Sequence, residues 1–359
     1  MTNAGETSPL SPPEPALAKA ASFDPVIHAM RAVAILLVIL GHAFDPYLKE
    51  NPGLVAARMV IYSFHIQVFV FLSGYLGKKV MTCPRGEYLS RLARQAGRLL
   101  TVYVVCSAII VPVKLALNDY ADRPTDPGSA LIDILIYPGD HPMITMWFLY
   151  VLFLMQAIFL TLARLGVLRH RGVVEFLCVT AVLVAANEWC RQQTVAVCGL
   201  NRLGELALYF YLGYQASRIG PPLRDCIHRW RYVLLALPLT WLLLDSLRQT
   251  SCVGIVYALI GIALTWAVAT ILIRDLPCAW PGLKVIGDDA YAIYAYSYFF
   301  QVGARIVLVQ KLAWTDPVGL LVPFALGVVG PILLARWVLR RHRLLRGWTL
   351  GEWVPAAGK

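Results

Sequence analysis

The sequence predicts an all-α, polytopic integral membrane protein with about ten transmembrane helices. Apolar residues make up 58% of the 359-residue chain, and Asp, Glu, Lys and Arg together only 15%. The mean hydropathy of +0.64 is too high for a water-soluble globule. Apolar stretches lie near 26–44, 57–77, 98–117, 143–163, 172–187, 200–217, 232–245, 252–273, 290–310 and 318–338. About 20 such residues in a helix cross a bilayer; several stretches are interrupted by Pro, Gly or polar groups, which makes the fifth and seventh the weakest.

Charge supplies the third observation, because Lys and Arg recur in alternate connections. Lys78, Lys79, Arg85, Arg91, Arg94 and Arg98 follow the second stretch, and Arg164, Arg169 and Arg171 follow the fourth. Arg218, Arg224, Arg229 and Arg231 follow the sixth, and Arg336, Arg340, Arg341, Arg343 and Arg346 close the last. The longest opposite connection, 118–142, has five Asp against Arg123 alone. By the positive-inside rule the basic side and both termini are cytoplasmic. The net charge of +11 is therefore mostly topology, and no nucleic-acid motif accompanies it.

Residues 1–22 are rich in Pro, Ala, Ser and Thr and are expected to form a disordered cytoplasmic tail. They lack the basic start and apolar core of a signal peptide. The membrane domain is expected over 23–345, with a second cytoplasmic tail over 346–359. No internal repeat is evident, which counts against transporter folds built from duplicated halves. The eight cysteines show no paired C-x-x-C pattern, so no metal partner is expected and most should be packing residues. Cys190 and Cys198 share one predicted outer loop, where an oxidising compartment would permit a disulfide.

The first span, PVIHAMRAVAILLVILGHAF, holds Arg31 and His42. Eleven residues separate them by about 16 Å along a helix and return them to nearly the same face. An Arg in hydrocarbon costs at least ~2.5–3.5 kcal/mol on insertion scales, so it faces a cavity, a partner or a ligand, or else snorkels to the surface. The second span, YSFHIQVFVFLSGYLGKK, carries His65 and the small pair Ser73-Gly74, which suits close approach of a helix or a ligand. Arg91, Arg94 and Arg98 recur at i, i+3 and i+7 as a basic stripe that suits anionic lipid. The fourth span opens on Met146-Trp147-Phe148-Leu149, with Trp147 either a membrane anchor or an aromatic face for a sugar. Arg202 and Glu205 stand three residues apart, at ion-pair spacing. Arg305 is a further charge inside an apolar stretch.

The Arg31-to-His42 spacing resembles the first helix of the membrane acyltransferase-3 family. Phe64-His65 and Phe69-x-Phe71-Leu72-Ser73-Gly74 resemble the branch of fucose 4-O-acetylase-like sugar O-acetyltransferases. The element at Met146–Leu149, the run LGELALYFYLGYQAS and the ninth-span run Asp288–Ser297 are weaker likenesses. The chain departs from the family where His28 replaces an Asp, where Ile66-Gln67 replaces Met-Pro, and where Ser297 replaces a His. The resemblance implies an O-acyltransferase of the bacterial cytoplasmic membrane moving an acetyl or other short acyl group from acyl-CoA, chiefly acetyl-CoA, to a saccharide hydroxyl. Membrane lipid, acyl-CoA and a saccharide are its implied partners, and it needs no bound cofactor or metal. On this reading His42 is the proton acceptor, with His65 second in line or orienting His42. Arg31, Ser73, Arg91, Arg94 and Arg98 serve the donor, and Trp147, Arg202, Glu205 and Arg305 the acceptor. Direct transfer and an acyl-histidine relay both remain open. The competing class is a multi-pass exporter of a saccharide or a small anion, whose pathway would also be lined by buried Arg, His and Glu.

Overall fold

The computed structural model describes residues 24–49, 51–78, 85–116, 118, 125–143, 145–168, 172–193, 197–237, 251–314 and 317–353. Helices dominate, and no strand occurs among these residues. The first helix, α1 (Pro25–Ala43), begins where the Asp24 carboxylate accepts from the Val26 and Ile27 amides at 3.1 and 3.3 Å, with Pro25 set in its first turn. Apart from His28, Arg31 and His42 it is apolar, and so apolar a helix belongs in the middle of a bundle. Ala29, Met30, Ala32, Ala34, Ile35 and Ile39 are fully buried.

The second apolar stretch is two helices, α2 (Pro52–Tyr62) and α3 (His65–Leu76), interrupted at Ser63-Phe64. The interruption forms without a proline. Phe64 leaves helical geometry at φ −145°, and its ring fills the space over Gly261. It sets the Tyr62 and His65 rings together, tilted by 51° with centroids 4.7 Å apart.

Then follow α4 (Tyr88–Ala116), a short α5 (Ala130–Leu135), α6 (Trp147–Arg164), α7 (Val173–Arg191), α8 (Leu200–Ile219) and α9 (Pro221–Leu234). The chain closes with α10 (Ser251–Arg274), α11 (Trp280–Arg305), α12 (Leu321–Trp337) and α13 (Arg343–Leu350). Around α1 stand α3, α10, α11 and α12. The tightest crossing is α3 on α8. A Cβ on Gly74 would overlap the Phe210 carbonyl, and one on Gly213 the Phe71 carbonyl. Small residues bring these backbones together, as is common between membrane helices.

Eight helices of the described residues are long and apolar enough to cross a membrane, so the chain is an all-α multi-pass membrane protein. Of the ten predicted stretches, 200–217 is helix α8, too polar to satisfy that measure, yet it packs on α3, α6 and α7. The stretch 232–245 lies mostly outside the described residues. Two helices begin about ten residues earlier than hydropathy placed them: α4 at Tyr88 and α11 at Trp280.

Helix α13 falls across the predicted boundary at 345 and packs against α4. Beyond it, the Trp353 indole N–H donates to the Gly97 carbonyl at 3.0 Å. Burial works to raise the Glu352 carboxyl, and ion pairs with Arg340 and Arg346 overcome it, holding the group below its ordinary value. Arg340 also meets the fully buried Asp289, to which Arg336 donates at 2.6 Å. The expected Cys190–Cys198 disulfide is not formed: both are free thiols. The Cys190 sulfur packs where a side chain at Gly204 would stand, tied up in the α7–α8 crossing rather than turned to the loop.

Candidate active site

The bundle has two chemically distinct ends. At one, Arg31 of α1 lies within electrostatic range of Arg98 of α4 and Asp288 of α11. The Arg98 guanidinium sits 5.8 Å from the Tyr291 ring, and the Tyr291 hydroxyl donates to the Arg98 carbonyl at 2.8 Å. His28 lies 3.4 Å from Asp288, so α11 sets a carboxylate beside the start of α1. The predicted donor set is only partly assembled here. Arg91 is held by Glu87 at 2.9 Å, and Arg94 bonds the Ser90 carbonyl at 3.2 Å, both within their own exposed turns. Ser73 donates to the Phe69 carbonyl at 2.8 Å, within its own helix.

His42 marks the other end, about 16 Å from Arg31 along α1. Its Nδ1 is 3.1 Å from the Tyr62 hydroxyl and 3.6 Å from Asp45. Arg58 forms an ion pair with Asp45, Nε to Oδ1 3.0 Å, and lies over the Tyr62 ring at 4.3 Å. The four side chains brace one another. With Nδ1 taken by Tyr62 and Asp45, Nε2 is the imidazole nitrogen left for a substrate proton. A ring whose one nitrogen is fixed in this way has its tautomer and orientation set for proton transfer.

His42, Asp45 and Arg58 of this quartet border a cavity of about 610 Å³. Lys114 of α4, Arg305 and Gln301 of α11, and Asp126, Asp133 and Asp140 of the acidic connection form its polar wall. Tyr298 and Phe299 add aromatic faces. Its size suits a molecule of a few rings. His141 also lines it. The Met143 amide donates to His141 Nδ1 at 2.9 Å, leaving Nε2 to donate to Ser107 Oγ at 2.7 Å. Ser107 passes the chain on to the Tyr103 carbonyl at 2.6 Å. Burial pushes the His141 imidazole down to about 4, so it is neutral at pH 7.

His65 does not reach the cavity. It is buried behind Tyr62, with Nδ1 3.0 Å from the Ile61 carbonyl. The acceptor candidates divide. Arg305 shares the cavity with His42, whereas Trp147, Arg202 and Glu205 form a separate cluster. There Arg202 lies 5.5 Å from the Trp147 ring and pairs with Glu205 at 3.0 Å. Ser297 is buried within α11.

A protein-family model for an acyltransferase domain matches residues 24–336. The chain belongs to the acyltransferase-3 family. The match begins at the cap of α1 and ends at Arg336, so it takes in both ends of the bundle. No curated protein and no solved structure matches significantly. The acyltransferase is thus a membrane enzyme class whose donor and acceptor must be argued from its own residues. Sequence reasoning missed Asp45, Arg58, Tyr62 and His141. Asp45 alone left a local trace, three residues after His42 on the same helical face.

Proposed function

We propose that this acyltransferase moves an acetyl group from acetyl-CoA to a hydroxyl of a cell-surface or secreted saccharide in the bacterial cytoplasmic membrane. The observation that carries the reading is the braced His42 at the rim of a polar, aromatic-walled cavity, on the same helix as a basic cluster at the opposite end. Loop charge supports a ten-span topology with the Arg31 end and both termini in the cytoplasm. Acetyl-CoA then enters beside Arg31 and Arg98, whose guanidinium groups suit phosphate through bidentate, permanently charged contacts. Its thioester reaches toward His42, a path of about 16 Å that a long, linear pantetheine arm fits.

The acceptor occupies the cavity from the outer side. His42 Nε2 takes the proton of the attacking hydroxyl, and the oxygen forms a bond to the acetyl carbon. The carbon–sulfur bond breaks, and the thiolate leaves and takes up a proton. Tyr62 and Asp45 hold the imidazolium formed on the way. Aromatic Tyr298 and Phe299 supply faces for a sugar ring, and the Asp side chains accept from its hydroxyls.

The test is acetyl transfer and acyl-CoA binding by purified protein in nanodiscs. His42→Ala should lower turnover by roughly 10²–10⁴ while acetyl-CoA still binds. Arg31→Ala should weaken acetyl-CoA binding, with Arg31→Lys recovering only part of it. An active His42→Ala enzyme overturns the mechanism.

A further inference from the structure

A second hollow adjoins the cavity. Between α11 and α12 runs a groove of about 400 Å³ whose lining is entirely apolar. Phe300, Val307 and Leu308 form one wall, and Val322 and Leu326 the other. Phe299 and Gly303 line both the groove and the cavity that holds His42 and Arg305. Gly303 is exposed, and a Cβ there would meet no atom within 4 Å, so a side chain at this shared position has room. Directly after Arg305 the helix widens into a π-helical turn, Ile306–Lys311, which carries Val307 and Leu308 into the groove wall. Such turns are rare and concentrate at functional sites.

We infer that the acceptor is an amphiphile, whose saccharide head enters the His42 cavity while its hydrocarbon chain lies in the groove between α11 and α12. The inference rests on the acyltransferase reading above and names its substrate class. A saccharide has no business in the groove, which offers no hydrogen-bonding side chain. A hydrocarbon chain does, because it exchanges lipid for a fixed apolar wall without desolvating anything. The levels agree as well. Arg305 and His42 mark the same end of the bundle, and the groove runs along the chain from Leu308, just past Arg305, back to Phe299, about 13 Å deeper. A head at the membrane surface with its chain running inward follows that course. Phe299 and Gly303, shared by cavity and groove, let one molecule touch both spaces, which a soluble polymer entering from water would not need.

The experiment uses the full chain in nanodiscs with radiolabelled acetyl-CoA. The acceptors are the dodecyl β-glycosides of glucose, galactose and N-acetylglucosamine, each beside its methyl glycoside. The dodecyl series should show kcat/KM at least ~10-fold above the methyl series. Partition into the bilayer alone could also produce that ratio, so the groove is tested directly. Gly303→Leu, which sets a branched side chain at the position shared by cavity and groove, should bring the ratio toward one. Leu326→Trp on the opposite wall is read in the same way and serves if Gly303→Leu does not insert. A ratio unchanged by either variant overturns the inference. So does equal use of both series, which leaves the acyltransferase reading standing. Turnover of acetyl-CoA with neither series overturns the inference alone, whereas no acyl turnover at all overturns both. As a second readout, a dodecyl glycoside with a diazirine in its chain should label residues 299–308 more strongly than a diazirine phosphatidylcholine. Equal labelling assigns the groove to bulk lipid and overturns the inference.

Discussion

A histidine near the end of a membrane helix is an unremarkable residue until its two nitrogens are told apart. In His42 the difference comes from Tyr62, which is 3.1 Å from Nδ1, and from Asp45, itself held by Arg58. Tyr62→Phe removes the hydroxyl and keeps the ring under Arg58. Turnover should fall by roughly tenfold with acceptor KM nearly unchanged, the mark of a positioning group rather than a binding one. A change confined to KM would reassign Tyr62 to the acceptor. His141 makes a different prediction, about stability against pH. Its folded value, about 4, lies below the ordinary 6.5, so the unfolded chain binds the proton more readily. Stability is fully present above pH 6.5 and is lost as pH falls through the window from 6.5 to 4, by on the order of 3 kcal/mol in all. Thermal unfolding in detergent should show that slope, and His141→Gln, which does not titrate, should flatten it.

Among the elements, α1, α3 and α8 show which features a sequence carries openly. The span 26–44 was legible because α1 is apolar over nearly its whole length and starts at Asp24 and Pro25. The starts of α4 and α11 were not. Their first three turns hold Arg91, Arg94, Lys284, Asp288 and Asp289, and hydropathy sees only the part of a helix immersed in hydrocarbon, not its polar extension. The pair Ser73-Gly74 was legible as a place of close approach, but not as to what approaches. The partner is the Phe210 backbone, 136 residues on from Gly74. Gly74→Leu should therefore cost about 1–3 kcal/mol or more, since a backbone carbonyl cannot rotate away. A melting temperature no lower than that of the parent would show that the α3–α8 crossing yields. The cavity itself had no local signal. His42, Lys114, His141 and Arg305 come from segments spread over most of the chain, and only the packing of α1, α4 and α11 brings them to one end.

For the molecule as a whole, the two ends differ in charge and in chemistry, and the proposed orientation follows from basic loops. Reporter fusions at Lys359 and near Gly128 should report opposite sides of the membrane. The same side for both would break the ten-span arrangement and the cytoplasmic entry of the donor with it. The ion network at the Arg31 end also has a consequence for synthesis. Asp289 is fully buried in α11, yet Arg336 and Arg340, which neutralise it, follow 47 and 51 residues later. Arg340 in turn is shared with Glu352. A carboxylate in such a place without its partners is strongly unfavourable, by ~3–5 kcal/mol for a broken buried pair. On the ribosome, Asp289 must therefore stay in water or stay protonated until α12 and the turn of Arg340 have emerged. This end of α11 thus finishes packing only when α12 arrives, the two helices tied by their own charges.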